Sequence, residues 1–122
     1  MPVTWIEYKQ INILYVDYKN TTDKEKLQML QQQADILAKH KEFSVLILVD
    51  VCDCNLSKEF MVEAKNISKQ YIAPKTKRAA IIGVTGFRKL MLTGLNLFIK
   101  RNIVPFYDET SAKEFLFIEG KK

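Results

Sequence analysis

Phe43 to Asp53 reads FSVLILVDVCD, seven apolar or small residues in unbroken succession before the first acid. A short run rich in Val, Ile and Leu that closes on Asp reads as a strand buried on both faces, at the centre of a sheet covered by helices. The rest of the chain is placed around it.

Upstream, Val3 to Tyr8 and Ile11 to Tyr18 are short mixed segments parted only by Lys9 and Gln10. Strands so close in sequence pair antiparallel, so the chain opens with a hairpin, although no Asn-Gly turn marks it. Asn20 to Asp23 is a turn and cap cluster, followed by a helix expected over Asp23 to His40. Leu27, Leu30, Ala34, Leu37 and Ala38, three and four apart, form its predicted core stripe. Gln31 to Gln33 then fall on the solvated side, and Met29 and Ile36 lie off the stripe.

Downstream, a polar turn leads to a helix expected over Ser57 to Ile72, with Phe60, Ala64, Ile67 and Tyr71 inward and Pro74 barring further extension. Lys75 to Arg78 reads as a basic loop, and Ala79 to Val84 as another buried strand closed by Thr85-Gly86. Strands alternating with helices imply parallel crossover units. Phe87 to Arg101 reads as a helix whose apolar arc spans roughly 220°, far wider than a one-sided helix presents. A neighbouring helix, a second copy, a partner or an apolar ligand would cover the excess, with Leu92, Leu95 and Ile99 as the ligand-facing set. A strand at Ile103 to Tyr107 and a helix at Thr110 to Ile118 complete the order. The expected fold is α/β: one domain over 1–122, a mixed five-stranded sheet with four helices and an N-terminal antiparallel hairpin.

A chain of 122 residues, 48% hydrophobic and 27% charged, suits a single core. No apolar run reaches the roughly 20 residues of a membrane span, and the first ten residues lack the apolar core of a secretory signal. The expectation is a cytoplasmic protein with no transmembrane segment. Cys52 and Cys54, one residue apart, are too close for an ordinary disulfide. Charge is uneven: residues 1–61 hold 7 Lys/Arg against 9 Asp/Glu, a balance of −2, and residues 62–122 hold 12 against 5, a balance of +7. A basic half steers anionic partners or simply keeps the surface solvated. Nothing resembles a nucleic-acid-binding motif, so no nucleic-acid partner is expected.

The hairpin, the strand ending LVD at Leu48 to Asp50, the polar turn into a helix, and IIGVTG at Ile81 to Gly86 before an apolar helix together resemble the STAS domain. That fold is shared by anti-sigma-factor antagonists and the cytoplasmic tails of sulfate transporters. More closely, the chain is similar to the small stand-alone STAS-like proteins of bacteria, over essentially its whole length. The resemblance implies a non-enzymatic regulatory module that binds a protein partner. In regulatory members, a Ser or Thr at the start of the helix after the central strand is phosphorylated. The matching stretch is DVCDCNLSKE, Asp50 to Glu59, in which Ser57 is the one hydroxyl. The usual Asp-Ser-Ser-Gly pattern is absent, and Ser57 also reads as a plain helix N-cap. The implied contact surface comprises Cys52, Asp53, Cys54, Asn55 and Ser57 with Thr85, Arg88 and Lys89.

Other chemistries fit less well. Asp17, Asp50 and Thr85 near strand ends invite comparison with a phospho-accepting receiver, but no helix parts the first two strands and the required Lys is missing. A structural zinc site needs about four ligands, and the sole histidine, His40, ends a distant helix, so no metal is expected. The Gly83 to Gly86 turn lacks the spacing of a P-loop or a dinucleotide fingerprint. With one His and no activated nucleophile, neither enzyme activity nor a cofactor is expected. The alternative function is a carrier or sensor of a small apolar ligand such as a lipid; a homodimer is compatible with either reading.

Overall fold

The computed structural model describes residues 2–54, 57–84 and 103–122. The order is β1 (Val3–Tyr8), β2 (Ile11–Asp17), α1 (Asp23–Leu37), β3 (Val45–Asp50), α2 (Lys58–Ile67), β4 (Thr76–Ile82), β5 (Ile103–Phe106) and α3 (Glu109–Gly120). The strands form one five-stranded sheet in the order β1-β2-β3-β4-β5. β1 and β2 are antiparallel, and the remaining pairs are parallel. The stretch Val45–Asp50 is thus the central strand. Three α-helices lie among the described residues, and the helix expected over 87–101 lies outside them. No helix among the described residues is long and apolar enough to cross a membrane.

Side-chain alternation explains why the strands read as continuous apolar runs. Val45 and Ile47 of β3 join Leu14, Val16, Ala79 and Ile81 on the face covered by α1 and α2. Leu46 and Leu48 join Ile13, Ala80 and Ile82 on the face covered by Ala112 and Leu116 of α3.

The hairpin turns at Lys9 and Gln10, whose φ values of +48° and +73° place both in the left-handed region of a type I′ turn. No glycine is used, and the local strain is offset by the twist this turn gives the strands. Thr22 caps α1 through a reciprocal capping box with Glu25.

The predicted stripe of α1 needs correction. Leu27 and Ala38 are exposed, whereas Met29 is buried along with Leu30, Ala34 and Leu37. Two polar side chains also turn inward: Lys26 donates to the Thr21 carbonyl at 2.8 Å, and Gln33 donates to the Tyr18 hydroxyl at 2.8 Å. Satisfied polar groups can occupy core positions, and here they rotate the buried face toward Met29.

A second correction concerns α2. Its regular part ends at Ile67, and Ser68–Ile72 winds as a wider π turn. The wider turn shifts the phase by about one residue. Ile72 is buried in place of the predicted Tyr71, which is half exposed. The expected basic loop of Lys75 to Arg78 is mostly strand, since β4 starts at Thr76. Arg78 there forms an ion pair with Glu119 of α3 at 2.7 Å.

Candidate functional site

The carboxyl ends of β2, β3 and β4 meet at one rim, where Asp17 and Asp50 are register partners. Asp50 is nearly fully buried, and its carboxylate is held by three donors. The Cys52 backbone N–H donates to Oδ1 at 2.9 Å, and the Tyr15 hydroxyl donates to Oδ2 at 3.2 Å. The Lys19 ammonium lies 3.4 Å from Oδ2. A buried carboxylate is tolerated only when paired and hydrogen-bonded in this way. Asp50 in turn raises the pKa of Lys19 above the ordinary lysine value, with Asp17 adding to the effect. Burial, then the charges of Asp50 and Asp17, push the Tyr15 hydroxyl up, so it stays neutral and donates.

The Asp50 carboxylate thereby fixes the start of the following loop. The Val51 N–H still reaches the Ile82 carbonyl at 2.9 Å, extending the ladder by one residue. The chain then turns through Cys52 and Asp53, the latter at φ +53°. Gly83, at φ +91°, lies directly against this turn: a Cβ built on it would fall 2.5 Å from the Cys52 nitrogen and 2.7 Å from its Sγ. Only glycine permits this approach of β4's end to the loop.

Cys52 is half-buried, Asp53 exposed and Cys54 buried in the core beneath α2. Cys54 therefore anchors the loop from within. Neither Cys52 nor Cys54 is part of a disulfide. Burial first, then the Asp50 hydrogen bond and charge, raise the pKa of Cys52, which keeps it a protonated thiol rather than a nucleophilic thiolate.

Ser57 is half-buried and in extended conformation, and its Oγ accepts the Phe60 N–H at 3.1 Å as the N-cap of α2. Phe60 is itself fixed by an edge-to-face contact with Tyr18, ring centroids 5.6 Å apart. Asn55, Thr85, Arg88 and Lys89 of the expected surface lie outside the described residues, as do Leu92, Leu95 and Ile99 of the expected apolar site.

Cys52 and Asp53 lie in the turn after β3, and Ser57 caps the helix that follows. Sequence reasoning missed Lys19 and Tyr15, and it weighed Asp50 only for a receiver role. The available signal was the acid closing an otherwise apolar strand: a carboxylate in that position needs donors from its neighbours. Among the described residues, no three His, Cys, Asp or Glu side chains gather as a metal-ligand set. The arrangement suits recognition by shape, charge and backbone geometry.

No family model matches the chain, and no curated protein matches it. A solved structure is similar: an uncharacterised protein of the DUF3478 family with a SpoIIAA-like fold, from Shewanella loihica PV-4. It is 20% identical, with a TM-score of 0.76 over 93% of this chain and 91% of that one. The resemblance to STAS domains read from the strand order is thus matched in three dimensions, and the chain has a SpoIIAA-like fold.

Proposed function

We propose that the protein is a non-enzymatic regulatory module of STAS type that binds a protein partner through this rim. The contact surface is the loop from Cys52 to Ser57, the first turn of α2 and the segment Thr85 to Lys89. The observation that supports this reading best is the way the loop is held. Asp50 fixes its start by the Cys52 N–H, Gly83 packs against its turn, and Ser57 ends it as the helix cap. Holding Cys52 and Ser57 in place lowers the ordering cost of binding at those positions.

Ser57 is the switch in this reading. A phosphate on its Oγ would stand at the N-terminus of α2, where backbone N–H groups and the helix dipole favour negative charge. It would also place that charge in the contact surface.

The test is affinity capture from cell extract, using wild-type protein and the Ser57→Asp, Ser57→Ala and Thr85→Glu variants, followed by titration of the purified partner. Asp retains an acceptor for the Phe60 N–H, so Ser57→Asp adds charge while keeping the cap. A change of at least about tenfold in affinity, roughly 1.4 kcal/mol, is expected for Ser57→Asp. Equal binding by all four proteins rejects the switch.

A further inference from the structure

The two edges of the sheet differ. β5 is four residues long and contains Pro105, which has no N–H to offer a further strand. β1 is six residues long, has no proline within it and pairs with β2 in unbroken register. The Asp17 N–H donates to the Pro2 carbonyl at 2.8 Å, which fixes the phase of the hairpin. Thr4, Ile6 and Tyr8 therefore bond to β2, and Val3, Trp5 and Glu7 direct their N–H and C=O groups outward. Those groups have no backbone partner among the described residues. Trp5 sits in the middle of this edge, 41% exposed and backed by the His40 ring at 5.3 Å. An unblunted edge of this kind is a template for another strand.

We propose that the β1 edge pairs antiparallel with the β1 edge of a second copy, about a two-fold axis through Trp5. In this register Trp5 faces its own equivalent and Val3 faces Glu7, so every outward backbone group of both strands is satisfied. Shifting the strands by two residues leaves some of them unpaired. The same register keeps the two Glu7 residues about 14 Å apart along the strands, beyond the screening length at physiological salt. It also places Thr4 against Ile6 on the other face, covering apolar surface that α3 leaves half open. The interface is isologous, as a closed dimer requires. An edge about 20 Å long falls well short of the ~1,600 Å² of a standard interface. The dimer is accordingly weak, half-dissociated on the order of 0.1 mM.

The test uses the full chain. Sedimentation velocity from about 10 μM to about 1 mM brackets that affinity. Trp5 is the one tryptophan, so energy transfer between the paired indoles should lower fluorescence anisotropy as dimer forms. Glu7→Pro removes an outward donor while leaving the bonds to β2 intact, and it should hold the protein monomeric with unchanged circular dichroism. Trp5→Cys in a Cys52→Ser background should oxidise to a disulfide dimer. Directly opposed residues of a hydrogen-bonded pair lie about 5.5 Å apart at Cα, within disulfide range. Cross-linking should run at least about tenfold faster than for Tyr107→Cys in the same background, a position 98% exposed and away from the edge. Three results overturn the pairing: a monomer at every concentration, equal rates for the two cysteine variants, or a dimer that Glu7→Pro leaves intact. The first would assign the edge to a strand from another protein.

Discussion

Gly83 and Asp50 show how single residues shape the rim. An alanine at 83 would have to hold φ at +91° and place its Cβ against the Cys52 backbone, which cannot retreat as a flexible side chain could. Left-handed strain alone costs about 1–2 kcal/mol, and the clash adds to it. Gly83→Ala should therefore lower the urea midpoint by an amount equivalent to about 2–4 kcal/mol with an unchanged m-value; a loss below about 1 kcal/mol would mean the loop moves aside. Asp50→Ala should be similarly severe, about 2–4 kcal/mol, because it strands the Cys52 N–H and the Tyr15 hydroxyl. Lys19→Ala should cost only about 0–1 kcal/mol, since the Lys19 side chain is 40% exposed and water screens its pairing. Equal losses for these two variants would contradict the view that the hydrogen-bonded carboxylate, rather than the ion pair, fixes the loop. The glycine was visible in the sequence as a turn signal. Its contact with Cys52 joins residues 31 positions apart, so no local pattern reports it.

At the scale of elements, helix periodicity located α1 and α2 but mistook which residues they bury. Pattern reading assigns polar residues to water: it placed Gln33 outside, passed over Lys26, and rotated the predicted stripe toward Leu27. Each of these polar groups instead has a partner inside, the Thr21 carbonyl and the Tyr18 hydroxyl. Met29→Ala should then cost about 2–4 kcal/mol as a core truncation, and Leu27→Ala should stay within about 0.5 kcal/mol. Chemical denaturation of the two variants checks this directly, and the reverse ranking would restore the stripe read from sequence. The π turn at Ser68–Ile72 exchanged Tyr71 for Ile72 for a related reason: a change of winding leaves no trace in a residue pattern that assumes constant pitch. Strands fared better, because a run of Val, Ile and Leu buried on both faces has no phase to mistake. β1 was placed at Val3–Tyr8, as observed, and β3 was overextended at its start, where Phe43 holds φ at +53°.

At the scale of the whole molecule, the order of strands and helices was legible because each parallel connection needs a helix-length segment, while the hairpin needs none. The rim was only partly legible, because it is assembled from the ends of three strands. Titration links that rim to the whole fold. Burial holds the Tyr18 hydroxyl above the ordinary value of 10.0, burial and then Asp50 do the same for Tyr15, and burial and then Asp50 hold Cys52 above 9.0. A raised folded-state pKa means that the folded chain keeps protons the unfolded chain gives up. The stability from these three groups is complete below pH 9 and is lost as pH rises through their folded values. At the acid end the signs reverse. Hydrogen bonds lower Glu25, Glu114 and Glu119 from 4.5 and Asp108 from 3.8, so their contribution is present above those values and fades as pH falls through the depressed ones. Glu25 and Asp108 are exposed and Glu114 is half-exposed, which leaves Glu119 as the buried member of the four, so the acid limb should be shallow. The expected stability profile is a plateau through neutral pH, a gentle acid decline and a steeper alkaline one. Urea midpoints measured from acid to alkaline pH, with tyrosinate absorbance followed in the same samples, check both limbs. Part of the tyrosinate signal should appear only together with unfolding, and Tyr18→Phe should flatten the alkaline decline. If all tyrosines ionise while near-ultraviolet circular dichroism remains native, Tyr18 and Tyr15 are not held as the fold implies.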